Sequence, residues 1–154
     1  MQNTFVMKMV TCFAVICCGL LLFATCKKKN NRPAEQKMLV AGKWQLTAST
    51  ATTNIMGIDS TIDLLADCEK DNIMTFADNG AAALDEGANI CTGKNQITTA
   101  PWVLLNNNTR LAIPDSNPDT FDLAITSTQL KLTETKPNTS GSPVTYISTF
   151  KNIR

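Results

Sequence analysis

The sequence predicts an all-β domain of eight to nine short antiparallel strands behind one short helix. Three observations predict it. Apolar and polar residues alternate in run after run from Lys43 onward. Clusters of Asp, Asn, Gly and Pro separate most of the runs. Beyond Gly42 no stretch carries the period of a long amphipathic helix, which argues against an α/β fold. A barrel and a two-layer sandwich both satisfy this pattern.

The helix is read from "PAEQKMLVAG". Pro33 suits a first helical turn, Gly42 suits the stop, and Met38, Leu39 and Ala41 form the apolar side. Trp44, Leu46 and Ala48 share one parity of a first strand, and Ile62 with Leu64 marks a second. Met74 and Phe76, then Ala82 and Leu84, read as two strands around an Asp78-Asn79-Gly80 turn. Trp102 and Leu104 lead into Asn106-Asn107-Asn108, and Leu111 with Ile113 follows. Asp115-Ser116-Asn117-Pro118 separates these from Phe121, Leu123 and Ile125. Leu130 and Leu132 are joined through Pro137 to Gly141 to the last strand, with Val144, Tyr146, Ser148 and Phe150 on one face. The abundant threonine suits strand surfaces.

The leader is a separate matter. Lys8 precedes an uncharged, mostly apolar run from Met9 to Thr25, and Lys27, Lys28 and Lys29 follow at once. Such an n-region and h-region read as a signal peptide. The run also reaches the short limit for an uncleaved membrane anchor, and its basic downstream flank favours that alternative. Cys26 decides between them. "LLFATC" places Ala24 and Thr25 before a cysteine and resembles a bacterial lipobox, which implies a lipid on Cys26. Residues 1–25 are then a signal peptide, 26–33 a lipidated tether and 34–154 the folded domain. The expected place is the outer membrane of the cell envelope. The absence of acidic residues in "KKKNN" favours the periplasmic face over the cell surface.

All 13 acidic residues lie beyond Cys26, and of the 14 basic residues only Lys8 precedes it. The body beyond the tether carries nine basic residues against those 13 acidic ones. A mildly acidic body argues against nucleic acid as a partner. The basic tether suits anionic lipid headgroups or simple solvation.

Of the six cysteines, Cys12, Cys17 and Cys18 fall in the leader and Cys26 is the lipidation site, which leaves Cys68 and Cys91. The chain has no histidine, so two thiols cannot complete a zinc site. Asp67, Glu69 and Asp71 alternate as calcium ligands do, but the glycine and glutamate of such a loop are missing. A disulfide across the predicted hairpin remains, and a loop of that size contributes roughly 3 kcal/mol. No metal or cofactor is expected. Without histidine, Ser-His and Cys-His catalysis is excluded, and no phosphate loop is present, so no catalytic residue and no enzyme is expected.

"AGKWQL", "LLADCEKDNIMTFADNGAAALDEGANIC", "APWVLLNNNTRLAI" and "STQLKLT" together resemble the lipocalin-like lipoproteins of Bacteroidota. Gly42 and Trp44 match a Gly-x-Trp on the first strand. Cys68, Lys70 and Asp71 match a Cys-x-Lys-Asp segment, and Gly80, Cys91 and Trp102 follow in order. The resemblance implies a small antiparallel barrel, and it leaves activity open. In lipocalins a basic residue packs against the first-strand Trp; Lys151 and Arg154 are the candidates here. On this reading a small apolar or amphipathic ligand lies among Phe76, Leu84, Trp102, Phe121 and Tyr146, which are otherwise plain core. The alternative is an interaction module that meets an envelope protein.

Overall fold

The computed structural model describes residues 32–114 and 119–154. The predicted signal peptide, Cys26, the tether lysines and the turn 115–118 lie outside the described residues.

Helix α1 (Ala34–Ala41) starts after Pro33, whose carbonyl accepts the Lys37 N–H at 3.1 Å, and ends at Gly42. Leu39 is fully buried. Ala41, expected on the same side, is exposed. Two residues along a helix turn the side chain by about 200°, so Ala41 faces away.

Ten antiparallel strands follow in one sheet: β1 (Lys43–Ile55), β2 (Ile58–Asp63), β3 (Ile73–Phe76), β4 (Ala81–Asp85), β5 (Ile97–Pro101), β6 (Val103–Leu105), β7 (Arg110–Ile113), β8 (Asp119–Ile125), β9 (Gln129–Pro137) and β10 (Pro143–Asn152). Nine of them form the wall in the order β5-β4-β3-β1-β10-β9-β8-β7-β6, in line with the eight to nine expected. The tenth, β2, pairs with β1 beside that path. One edge of β1 pairs with β10; the other pairs with β3 at Lys43–Gln45 and with β2 at Thr50–Ile55. Between β2 and β3 the chain leaves the sheet for a 3-10 turn at Asp67–Glu69.

The two ends of the wall, β5 and β6, are consecutive in the chain and meet at Trp102. Pro101 has no N–H to offer a further strand. Trp102 anchors this corner: its backbone N–H donates to Gly80 O at 2.8 Å, extending the β4–β5 ladder by one step, and its indole N–H to Ala77 O at 3.2 Å. The single residue between β5 and β6 keeps the two ends of the wall side by side, and the sheet is a nearly closed barrel. This decides between the barrel and the sandwich.

One register expectation is overturned. Leu46 pairs with Phe150, but Ala48 pairs with Thr149, so Thr47 is an extra residue in β1. Its hydroxyl donates to Thr149 O at 3.0 Å. A bulge shifts parity by one. Trp44 and Leu46 face the interior with Phe150, whereas beyond the bulge Ser49, Ala51 and Thr53 share the face of Ser148, Tyr146 and Val144. Ala48 turns outward.

The turns follow backbone chemistry. Met56 (φ 53°) and Gly57 (φ 84°) make the two-residue β1–β2 connection, with the Gly57 N–H held by Asn54 Oδ1 at 2.9 Å. Asn106, Asn107 and Asn108 all adopt positive φ between β6 and β7, which asparagine tolerates better than other non-glycine residues.

The core fills one end of the barrel. Leu39 of α1 is buried together with Trp44, Phe76, Ala82, Trp102, Leu111, Leu130, Leu132 and Phe150. Trp44 donates its indole N–H to Leu39 O at 3.0 Å. Its strand neighbour on β10 is Asn152, while Lys151 and Arg154 are exposed. The helix thus supplies the polar partner of this tryptophan.

Candidate ligand site at the open end of the barrel

The end opposite α1 carries the β1–β2 and β9–β10 hairpin tips and the loops that hold the two cysteines. There the interior face opens into a half-open cavity of about 260 Å³ lined by Ala51, Thr53, Ser60, Ile62, Leu64, Val144 and Tyr146, of which Ser60, Ile62, Leu64 and Tyr146 are exposed. Register explains the grouping. Ala51 lies opposite both Ile62 and Tyr146, and Thr53 opposite both Ser60 and Val144. Directly opposed residues share a face, so three strands present one concave, mostly apolar wall.

The next strand adds charge. On β9, Glu134 lies opposite Tyr146 and Lys136 opposite Val144, which places both on the interior face. Lys136 bridges Asp119 at 2.7 Å and Glu134 at 2.8 Å. The hydrogen bonds with Asp119 and then Glu134 keep its ammonium protonated beyond the usual lysine range. The pocket's own polar groups are the hydroxyl side chains Thr53, Ser60 and Tyr146, and an apolar wall with a few polar groups accepts an amphipathic molecule.

The five residues expected to line a ligand separate into layers. Tyr146 is in the cavity wall and partly exposed. Phe121 and Leu84 are half-buried, opposite Leu111 and Met74 on the interior face. Phe76 and Trp102 lie deepest, as an edge-to-face pair with ring centroids 5.4 Å apart, and belong to the core at the closed end. Alternation identifies an inward face without telling depth, so these residues looked alike in sequence.

Ala51 and Thr53 were missed because the bulge at Thr47 hides their parity. Val144 and Ile62 carried a signal, since each shares a strand face with an apolar neighbour, Tyr146 and Leu64. Glu134 and Lys136 were missed because charged residues on a strand read as solvent-facing.

The two cysteines form the expected disulfide. Cys68 sits in the 3-10 turn before β3 and Cys91 in the loop after β4, with Cα atoms 5.3 Å apart across a separation of 23 residues. Asp71 reinforces the same junction. One carboxylate oxygen accepts the backbone N–H groups of Ala88 at 2.7 Å and Asn89 at 3.0 Å. Gly87 (φ +70°) lets the loop approach: a Cβ there would lie 2.6 Å from the Asp71 carboxylate. The Cys-x-Lys-Asp segment, the glycine and the second cysteine therefore form one structural clasp at the barrel's open end.

The family model of the lipocalin-like domain matches residues 40–151. It covers most of the chain, and the chain belongs to that family. No curated protein matches it.

Proposed function

We propose that this protein carries a small amphipathic molecule in the open end of its barrel and is held at the cell envelope by a lipid on Cys26. The carrying observation is the cavity of about 260 Å³ whose mostly apolar wall also presents the hydroxyl side chains Thr53, Ser60 and Tyr146. Its size falls just below the range of small-molecule sites, about 300 to 1,000 Å³, so it suits a small ligand or part of a longer one. The lipid reading rests on "LLFATC" and the basic tether, and it extends to a lipoprotein of the Bacteroidota kind facing the periplasm. The family membership supports a binding protein over an enzyme.

A titration with the neutral fluorophore N-phenyl-1-naphthylamine tests the carrier reading. Saturable binding is expected in residues 27–154. Ala51→Phe, which projects a ring into the cavity, should weaken it at least tenfold while the far-ultraviolet spectrum is unchanged. No saturable binding, or equal binding by Ala51→Phe, overturns the proposal.

The second reading is an interaction module that meets an envelope protein. The β1–β2 hairpin favours it, because Met56 at the tip is 99% exposed and Ile58 is 72% exposed. Exposed apolar residues grouped in this way mark contact surfaces. Unchanged dye binding in Met56→Asp would separate the hairpin from the cavity.

A further inference from the structure

Between the apolar plug and the open end, the barrel interior holds two buried polar side chains, one of them with an unpartnered atom. Asn72 precedes Met74 by two residues on the β3 side, and Glu86 follows Leu84 by two on the β4 side. Met74 and Leu84 are opposed to each other, and Met74 to the fully buried Trp44, so Asn72 and Glu86 continue the interior face one step toward the open end. Each is only 4% exposed.

Their hydrogen bonding is incomplete. The Asn72 side-chain N–H donates to Glu86 Oε2 at 3.4 Å, longer than the usual range. Asn72 Oδ1 is buried without any partner. Among the described residues no lysine or arginine bridges Glu86. A buried carboxylate without a cation is costly, and so is an orphaned amide oxygen. The contrast with the charged group nearer the rim is informative. There Lys136 already serves both Asp119 and Glu134, so that cluster asks for nothing more.

We infer that Asn72 and Glu86 are an acceptor pair for a cationic nitrogen, the protonated amine head group of the amphipathic ligand. The inference rests on the carrier reading and adds the ligand's chemical class. The pair is level with Leu46, whose N–H donates to Asn72 O at 3.0 Å. Ala51, at the cavity, lies five residues further along β1 and, with the extra residue at Thr47, four rungs up the ladder from Phe150 to Tyr146, about 13 Å at roughly 3.3 Å per residue. A head group at Glu86 therefore leaves an alkyl chain running up to the apolar wall of Ala51, Ile62 and Val144. The ammonium would supply donors to Oδ1 of Asn72 and to the carboxylate, and its charge would offset that of Glu86.

Calorimetric titration of residues 27–154 with decylamine, 1-decanol and decanoate at neutral pH tests this. Decylamine should bind at least tenfold more tightly than decanol. Glu86→Gln should reduce that preference to about twofold or less, with decanol binding unchanged, while Glu134→Gln at the rim should retain it. Equal affinity for decylamine and decanol in the wild type overturns the inference and leaves the carrier reading standing. A preference that survives Glu86→Gln, or one that vanishes in Glu134→Gln, also overturns it, because the head group then sits elsewhere. If Glu86→Gln does not fold, Glu134→Gln and the wild-type comparison still decide. No binding of any of the three probes overturns the carrier reading and this inference together.

Discussion

A Cβ built on Gly42 would lie 2.5 Å from Cε2 of Trp44. The indole lies across the glycine two residues before it, and no side chain fits between them. The φ of Gly42 is −99°, open to any residue, so the demand is one of space alone. This is the physical content of the Gly-x-Trp motif: the glycine clears the floor on which the tryptophan closes the barrel.

Gly42→Ala should therefore destabilise the protein by about 1–3 kcal/mol, the usual cost of overpacking, despite alanine's lower unfolded-state entropy. Urea unfolding measures it. A variant as stable as the wild type would show that Trp44 has room to move.

The disulfide predicts a second outcome. Protein purified from an oxidising compartment should show no free thiol at Cys68 or Cys91 after denaturation in chelator. Replacing both with serine should lower stability by about 2–4 kcal/mol while the strand signature persists. Two reactive thiols without reductant would refute the bond.

Asp71 predicts a pH dependence. Desolvation pushes its carboxyl up, but the N–H groups of Asn89 and Ala88, with the smaller contributions that follow, outweigh this and hold it below its ordinary 3.8. A depressed carboxylate contributes stability above its unfolded value and loses it as pH falls through the lower folded value. Wild type should thus exceed Asp71→Asn in stability at neutral pH, and the gap should close below pH 3.8. Thermal melts of both proteins from pH 7 down to acid check this; a gap independent of pH would remove the ionic contribution.

Phe76 predicts a separation between core and cavity. It is 3% exposed and packs edge-on against Trp102. Phe76→Ala should cost about 3–5 kcal/mol in unfolding. Dye affinity at a temperature where the variant is folded should stay within about twofold of wild type. A large loss of affinity with little loss of stability would make Phe76 a binding residue instead.

Cys26 predicts a covalent lipid. Labelled palmitate should enter cells' wild-type protein and be absent from Cys26→Ser. Equal labelling of both would end the lipoprotein reading.

The all-β class, the helix between Pro33 and Gly42, the β3–β4 hairpin at Asp78-Asn79-Gly80 and the pairing of Cys68 with Cys91 were legible in the residues. These are local properties. Alternation follows from the two-residue period of a strand, turns follow from backbone preferences, and two cysteines within the folded domain leave one pairing there. Closure, parity and depth instead come from contacts between distant parts of the chain. Closure depends on the curl of the whole wall, which brings its two end strands, β5 and β6, together at Trp102. Parity beyond Thr47 depends on the partner strand, because a bulge exists only relative to the strand it opposes. Depth depends on which end the helix covers. Phe76 and Tyr146 follow the same alternating rule, yet one is core and the other lines the cavity, since Leu39 and Trp44 fill the barrel from one end only.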